Sequence, residues 1–142
     1  MSQHGNEPAD LGRLLAIMPF AASIGIALDA ATRQQVTGRL AWSARLCTAG
    51  GVMHGGALMT LADSLGALCA YLNLPDGAAT ATISSSVNFL RPVRGGEVHG
   101  AARPVHAGRS VIVVQTELRD DSAALVAQVT QAQAVLLGRY QA

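Results

Sequence analysis

The stretch from His54 to about Leu72 constrains this chain more than any other. Leu58, Leu61, Leu65, Leu68 and Leu72 recur at spacings of three and four, which marks one helical face. The opposite face is not polar: it carries Gly56, Met59, Thr60, Asp63, Gly66, Ala67 and Ala70. A helix that is apolar or small all round has to be covered on most sides. The rest of the chain supplies the cover. Val36, Gly38, Leu40 and Trp42 alternate with Thr37, Arg39 and Ala41, and Ile24 to Leu28 reads as a shorter strand ahead of them. After the Asn73-Leu74-Pro75-Asp76-Gly77 turn, Ala79, Ala81, Ile83, Ser85, Val87 and Phe89 alternate with Thr80, Thr82, Ser84, Ser86 and Asn88. Strands follow at about Glu97–Val105, where Pro104 demands an edge or a bulge, and at Ser110–Leu118 and Ala124–Leu137. Leu11, Leu14, Leu15 and Met18 predict a short helix from about Asp10 to Met18, ended by Pro19. The expectation is an α+β fold, an antiparallel sheet curved round one long central helix. Residues 1–9 read as a polar tail and 10–142 as one domain.

Composition narrows the function classes. Of 142 residues, 50% are hydrophobic and 13% charged, more apolar material than a lone monomer needs, which hints at buried subunit contacts. The formal net charge of +1 gives no field to draw nucleic acid or a membrane surface. All ten basic residues are arginine. Cys47 and Cys69 stand far apart, so no disulfide framework is expected, and His4, His54, His99 and His106 form no ligand spacing, so no metal is expected. Met1 to Asp10 shows no basic-then-apolar pattern, and the apolar run Ala57–Leu74 is broken by Asp63 and Asn73. Cytoplasmic residence without membrane attachment is therefore the expectation.

Asp63 is the only acidic residue between Asp29 and Asp76, and it sits mid-helix among Leu61, Ala62 and Leu65. Burying an unpaired carboxylate costs several kcal/mol, so the group is either paired with an arginine, open to a solvent channel, or functional. The residues before it favour function. His54-Gly55-Gly56 opens the helix, where first-turn N–H groups lack intrahelical partners and the dipole's positive end points outward. A carbonyl oxygen that becomes negative during reaction suits such a place. His54 itself is equally readable as a structural hydrogen-bonder. Asp63 lies eight residues beyond Gly55, about 12 Å along a helix axis. One helix therefore does not easily bring both groups to one small atom, but two helices related by a two-fold axis can, and the spacing argues for a shared site.

The run Gly51-Val52-Met53-His54-Gly55-Gly56-Ala57-Leu58-Met59-Thr60-Leu61-Ala62-Asp63 resembles the signature of hotdog-fold thioesterases of the PaaI-like, phenylacetate-degradation type. Val87-Asn88-Phe89-Leu90-Arg91-Pro92 with Gly95-Gly96, and the Gly108-Arg109-Ser110 turn, resemble that family's segments beside coenzyme A. The resemblance runs from about Cys47 to Leu137. It implies hydrolysis of acyl-CoA thioesters, and the mostly apolar residues expected around the acyl group favour an aryl or medium-chain one. Asp63 would serve as nucleophile or general base, the Gly55 N–H would polarise the carbonyl, and His54 would fix the thioester end. Thr82 would orient water or the carboxylate. Arg91, Pro92, Arg94, Gly95, Arg109 and Ser110 would lie along the coenzyme, which is part of the substrate, so no separate cofactor is implied. The active unit would be a homodimer, with dimers pairing into a homotetramer. Relatives commonly carry asparagine six residues before the histidine, where this chain has Thr48, a residue with no amide N–H to offer. Met59, Tyr71, Leu72 and Leu74, with residues near Met18 and Phe20, are the expected acyl-pocket lining. Two rivals remain: a hotdog enoyl-CoA hydratase or dehydratase, and a non-catalytic acyl-CoA binder or sensor.

Overall fold

A computed structural model describes residues 10–138; the polar tail expected over 1–9 lies outside it. The elements in chain order are α1 (Leu11–Ala16), α2 (Pro19–Ser23), β1 (Ala27–Ala31), β2 (Val36–Ala41), α3 (Gly55–Leu72), β3 (Ala79–Phe89), β4 (Glu97–Ala107), β5 (Val111–Arg119) and β6 (Leu125–Leu136), with two short 3-10 turns at Ala44–Leu46 and Ala49–Gly51. The six strands form one antiparallel sheet in the order β1-β2-β4-β5-β6-β3. It wraps α3, as the leucine periodicity requires: Leu61 and Leu65 are wholly buried and Leu68 nearly so. This is the hotdog arrangement. By length and composition α3 is apolar enough to cross a membrane, but it is the core helix under the sheet and most of it is buried.

Two glycines let α3 sit close. Gly38 of β2 and Gly100 of β4 are register partners, and both face Leu65. A Cβ on Gly100 would stand 2.5 Å from Leu65 Cδ1, and one on Gly38 2.8 Å from Leu65 Cδ2. At its C-terminus α3 is closed by Asn73, whose Nδ2 donates to the Cys69 carbonyl at 2.8 Å and the Arg33 carbonyl at 2.9 Å. These bonds satisfy a carbonyl that helix geometry leaves orphaned.

Three expectations need correction. The single N-terminal helix is two. Asp10 caps α1, accepting from the Arg13 N–H at 3.2 Å, and Pro19 opens α2 rather than ending helix altogether. Proline suits a first helical position because its missing N–H would have no partner there. The first strand lies later than Ile24–Leu28, because α2 and Gly25 at φ +96° occupy its start. The third correction concerns β3. A bulge between Thr82 and Ser84 puts an extra residue into the strand. Thr80 and Thr82 thereby share the α3-facing side with Ser85, Val87 and Phe89, and Ile83 is left 60% exposed. Pro104 behaves as expected: it follows the last residue paired to β2, Ala102, and adjoins a bulge.

Candidate active site

Asp63 is exposed on the side of α3 that the sheet leaves open. Met59 and Tyr71, four before and eight after it, flank it and are 42% and 44% exposed. The alternative of an arginine partner is not realised, since none of the ion pairs among the described residues includes Asp63. Its Oδ1 instead accepts from Thr82 Oγ1 at 3.4 Å and from Gln131 Nε2 at 3.2 Å, and Thr82 Oγ1 accepts from Gln133 Nε2 at 2.8 Å. Thr82 reaches the carboxylate only because the β3 bulge turns it inward.

The first turn of α3 is nearly saturated. The Gly56 N–H donates to His54 Nδ1 at 2.8 Å, and the N–H groups of Ala57 and Leu58 donate to the His54 carbonyl. Among the described residues this leaves the Gly55 N–H as the one in the turn without a hydrogen bond. His54 thus caps the helix, and with Nδ1 accepting, the ring proton sits on Nε2. Phe89 closes over Gly55, where a Cβ would meet the ring at 3.1 Å. The preceding loop is fixed by Thr48 N–H donating to the Val52 carbonyl, Trp42 Nε1–H to the Gly51 carbonyl, and Arg94 to the Gly50 carbonyl at 3.1 Å. Gly50 and Gly51 have φ of +77° and +72°, which only glycine adopts without strain. The Thr48 side chain makes no cap.

Not every expected site residue converges. Arg91, Pro92, Arg94 and Gly95 lie in the loop after β3, exposed and beside the helix start. Arg109 and Ser110 lie in the β4–β5 turn, and the Ser110 carbonyl accepts from the Val135 N–H, next to the first residues of β3. The two groups are thus at opposite ends of β3, a strand of about 33 Å at ~3.3 Å per residue. The expected acyl lining divides too. Leu72 and Leu74 are core, at 8% and 7% exposure. A cavity of about 210 Å³ instead opens at the α3 N-terminus, lined by Phe20, Ile24, Leu46, Cys47, His54 and Ala57. A larger one, about 310 Å³, lies on the outer face of the sheet among charged residues such as Asp29, Arg103 and Glu117, away from Asp63.

Sequence reasoning missed Gln131 and Gln133. The available signal was two amides on the inward phase of β6, where Ala127, Val129 and Val135 are buried and apolar.

A family model described as the thioesterase superfamily matches residues 50–127, just over half of the 142. The putative esterase PA1618 of Pseudomonas aeruginosa is 31% identical over 119 residues, covering 82% of each chain. The 1,4-dihydroxy-2-naphthoyl-CoA hydrolase of Escherichia coli is 33% identical over 75 residues, 53% of this chain and 55% of that one. The chain spans about half the length of several curated relatives it matches. Among solved structures, the thioesterase HI1161 of Haemophilus influenzae superposes with a TM-score of 0.88 at 25% identity, covering 98% of this chain and all of that one. Family model, relatives and fold agree: the chain belongs to the thioesterase superfamily.

Proposed function

We propose that this chain hydrolyses acyl-CoA thioesters in a homodimer, with Asp63 as the reacting carboxylate. The observation that carries the reading is the state of that carboxylate: exposed on a buried helix, with Oδ1 held by two donors and no ion pair to an arginine among the described residues. Oδ2 is then the oxygen available for chemistry. It takes a proton from water as the water oxygen attacks the thioester carbon, or attacks that carbon itself to form a mixed anhydride that water cleaves. Either route makes an oxyanion at the former carbonyl. A lone amide donor at a helix N-terminus stabilises such an oxygen, and the free Gly55 N–H supplies one. The intermediate collapses by expelling the coenzyme A thiolate, which takes up the proton that the carboxylate holds in the first route, or the one released when water cleaves the anhydride in the second.

Dimerisation through the open edge of β3 supplies the missing proximity. Among the described residues, strand β3 is paired only to β6. A two-fold axis at Ser86, which then lies opposite its own copy, sets Thr82, with the bulge at Ile83 taken as one position, opposite Phe89 of the partner subunit, the residue lying over Gly55. Asp63 then faces the helix start of the other protomer. The same operation brings Arg109 of one protomer to the end that carries Arg91 and Arg94 of the other, which unites the two separated groups along one coenzyme. The exposed Met59, Tyr71, Phe89 and Leu90 lie on the surfaces this pairing would cover. The 210 Å³ cavity at His54 is smaller than the ~300–1,000 Å³ of sites for drug-sized ligands. It suits a medium acyl chain or an aryl ring, not the whole coenzyme.

The test is Asp63→Asn, assayed by release of free thiol from a panel of acyl-CoAs. Turnover should fall by about three orders of magnitude or more, the scale on which removing a catalytic group acts, with the circular dichroism spectrum unchanged. Retention of wild-type kcat by that variant refutes the proposal.

A further inference from the structure

We infer that Gln131 is a positioning residue for this reaction: it aims the Asp63 carboxylate, and Gln133 does the same for the Thr82 hydroxyl. The inference rests on Asp63 being the reacting group.

Gln131 and Gln133 are each 1% exposed, two residues apart on the inward side of β6, at positions whose neighbours Val129 and Val135 are apolar. A core alone would take Leu or Met there. Gln131 is also poorly accommodated as a structural residue, because its Oε1 is buried with no hydrogen-bond partner among the described residues. Leaving a buried carbonyl oxygen unpaired is unfavourable, and such exceptions call for a reason. The opposite end of the same amide supplies one: Nε2 donates to Asp63 Oδ1 at 3.2 Å. Reversing the amide would set its oxygen against an ionised carboxylate, so the charge of Asp63 fixes this orientation. Space for the amide is made by Gly66, where any Cβ would overlap the Gln131 oxygen. A glycine in mid-helix is itself unfavourable, so two neighbouring positions both depart from what stability alone selects.

Gln133 completes the set. Its Nε2 donates to Thr82 Oγ1 at 2.8 Å, while Thr80 Oγ1 stands 3.2 Å from its Oε1. A hydroxyl oxygen that already accepts a hydrogen bond turns its own hydrogen elsewhere, and here the next acceptor is Asp63 Oδ1 at 3.4 Å. The order is Gln133 N–H to Thr82 oxygen, Thr82 O–H to Oδ1, and Gln131 N–H to Oδ1. Both donors converge on one carboxylate oxygen, so the rotation of the carboxylate is set and Oδ2 is presented to the cleft.

The experiment compares Gln131→Met, close in shape but with no donor, Gly66→Ala, which displaces the amide without deleting it, the double variant, and Asp63→Asn, all as the full chain. A misplacement of about 1 Å can cost on the order of 100-fold in rate. Each single variant should lose about 10- to 100-fold in kcat with KM within twofold. Gln131→Met should melt no lower than wild type, because it removes an unpaired buried oxygen. The double variant should be no slower than the slower single one, since both act through one amide. Kcat within threefold of wild type for Gln131→Met, while Asp63→Asn is inactive, overturns the positioning role and leaves the proposed function standing. Multiplicative losses in the double variant, or a lowered melting temperature that accounts for the lost activity, also overturn it. An active Asp63→Asn removes the proposed function itself and this inference with it.

Discussion

Replacing Leu65 by alanine tests whether the glycine pair under α3 sets the height of the helix above the sheet. Leu65 is fully buried, with Gly38 and Gly100 beneath its two methyl groups. Leu→Ala at such sites costs about 2.7–5.0 kcal/mol, the larger values going with cavities that cannot collapse. Neither strand has a side chain there to move in, so we expect the upper part of the range, about 4 kcal/mol. For a chain of this length that corresponds to a fall in Tm of roughly 15 °C. The geometry then makes a sharper demand. A methyl on Gly100 alone meets Leu65 Cδ1 at 2.5 Å and Leu118 Cδ2 at 3.0 Å, an overpacking worth about 1–3 kcal/mol. With Leu65 shortened the first clash is gone and the methyl fills part of the cavity. Urea unfolding of wild type, Leu65→Ala, Gly100→Ala and the double variant should therefore show the double variant at least as stable as Leu65→Ala, a coupling of about 1 kcal/mol or more. Additive losses would show that Leu65 and Gly100 are not in the contact that fixes the helix, and would refute the reasoning.

Burial pushes the Cys69 thiol up to about 11 from an ordinary 9.0. In the native protein at pH 8 a thiol reagent should modify the half-buried Cys47 and spare Cys69, with the second equivalent reacting only on unfolding. The same shift has a stability consequence. The unfolded chain releases this proton above pH 9 and the folded one does not, so Cys69→Ala should flatten the decline in Tm between pH 9 and 11. Asp121 is held below 3.8, first by its hydrogen bond with His99 at 2.7 Å and next by the Glu97 N–H. A depressed carboxylate stabilises the fold above its unfolded value and loses that contribution as pH falls through the folded one. The Tm gap between wild type and Asp121→Asn should therefore be present at pH 6 and close below about 3.8. Arg109→Ala should raise KM for an acyl-CoA by about two- to fivefold, the scale of one exposed charge contact, and leave the matching acyl-N-acetylcysteamine thioester unaffected; an equal effect on both substrates would separate Arg109 from the nucleotide.

The central helix was legible in the sequence because its signal is doubled: leucines at a helical period, and a second face too apolar or small to meet water. The strands after it were legible from their alternation, to within a residue or two. What stayed hidden depends on contacts between distant segments. The bulge in β3 has no local signal, since Ala81, Ile83, Ser85 and Val87 alternate as well in a regular strand. Pairing to β6 and the approach of α3 decide the phase. Asp63 stood out as a charge among leucines, and His54-Gly55-Gly56 as a glycine-rich helix start. Gln131 and Gln133 did not stand out, because an amide on a strand is ordinary until its position proves buried. The acyl-pocket expectation failed at Leu72 and Leu74 for the same reason, as periodicity cannot separate a side chain lining a cavity from one filling the core.

The extra residue in β3 gives the first half of that strand two competing phases. In the regular one, Ile83 and Ala81 would tuck under the helix and the threonines would point away, an arrangement that greasy side chains by themselves favour. The observed phase leaves an isoleucine in the open and delivers a hydroxyl to the acid. Removing Ile83 should cost little shape, because Thr82 then follows in ordinary succession; replacing it with a polar residue should hold the threonine phase more firmly. The strand thus behaves as a selector between a drier core and a dressed carboxylate, and the choice is made by one inserted position.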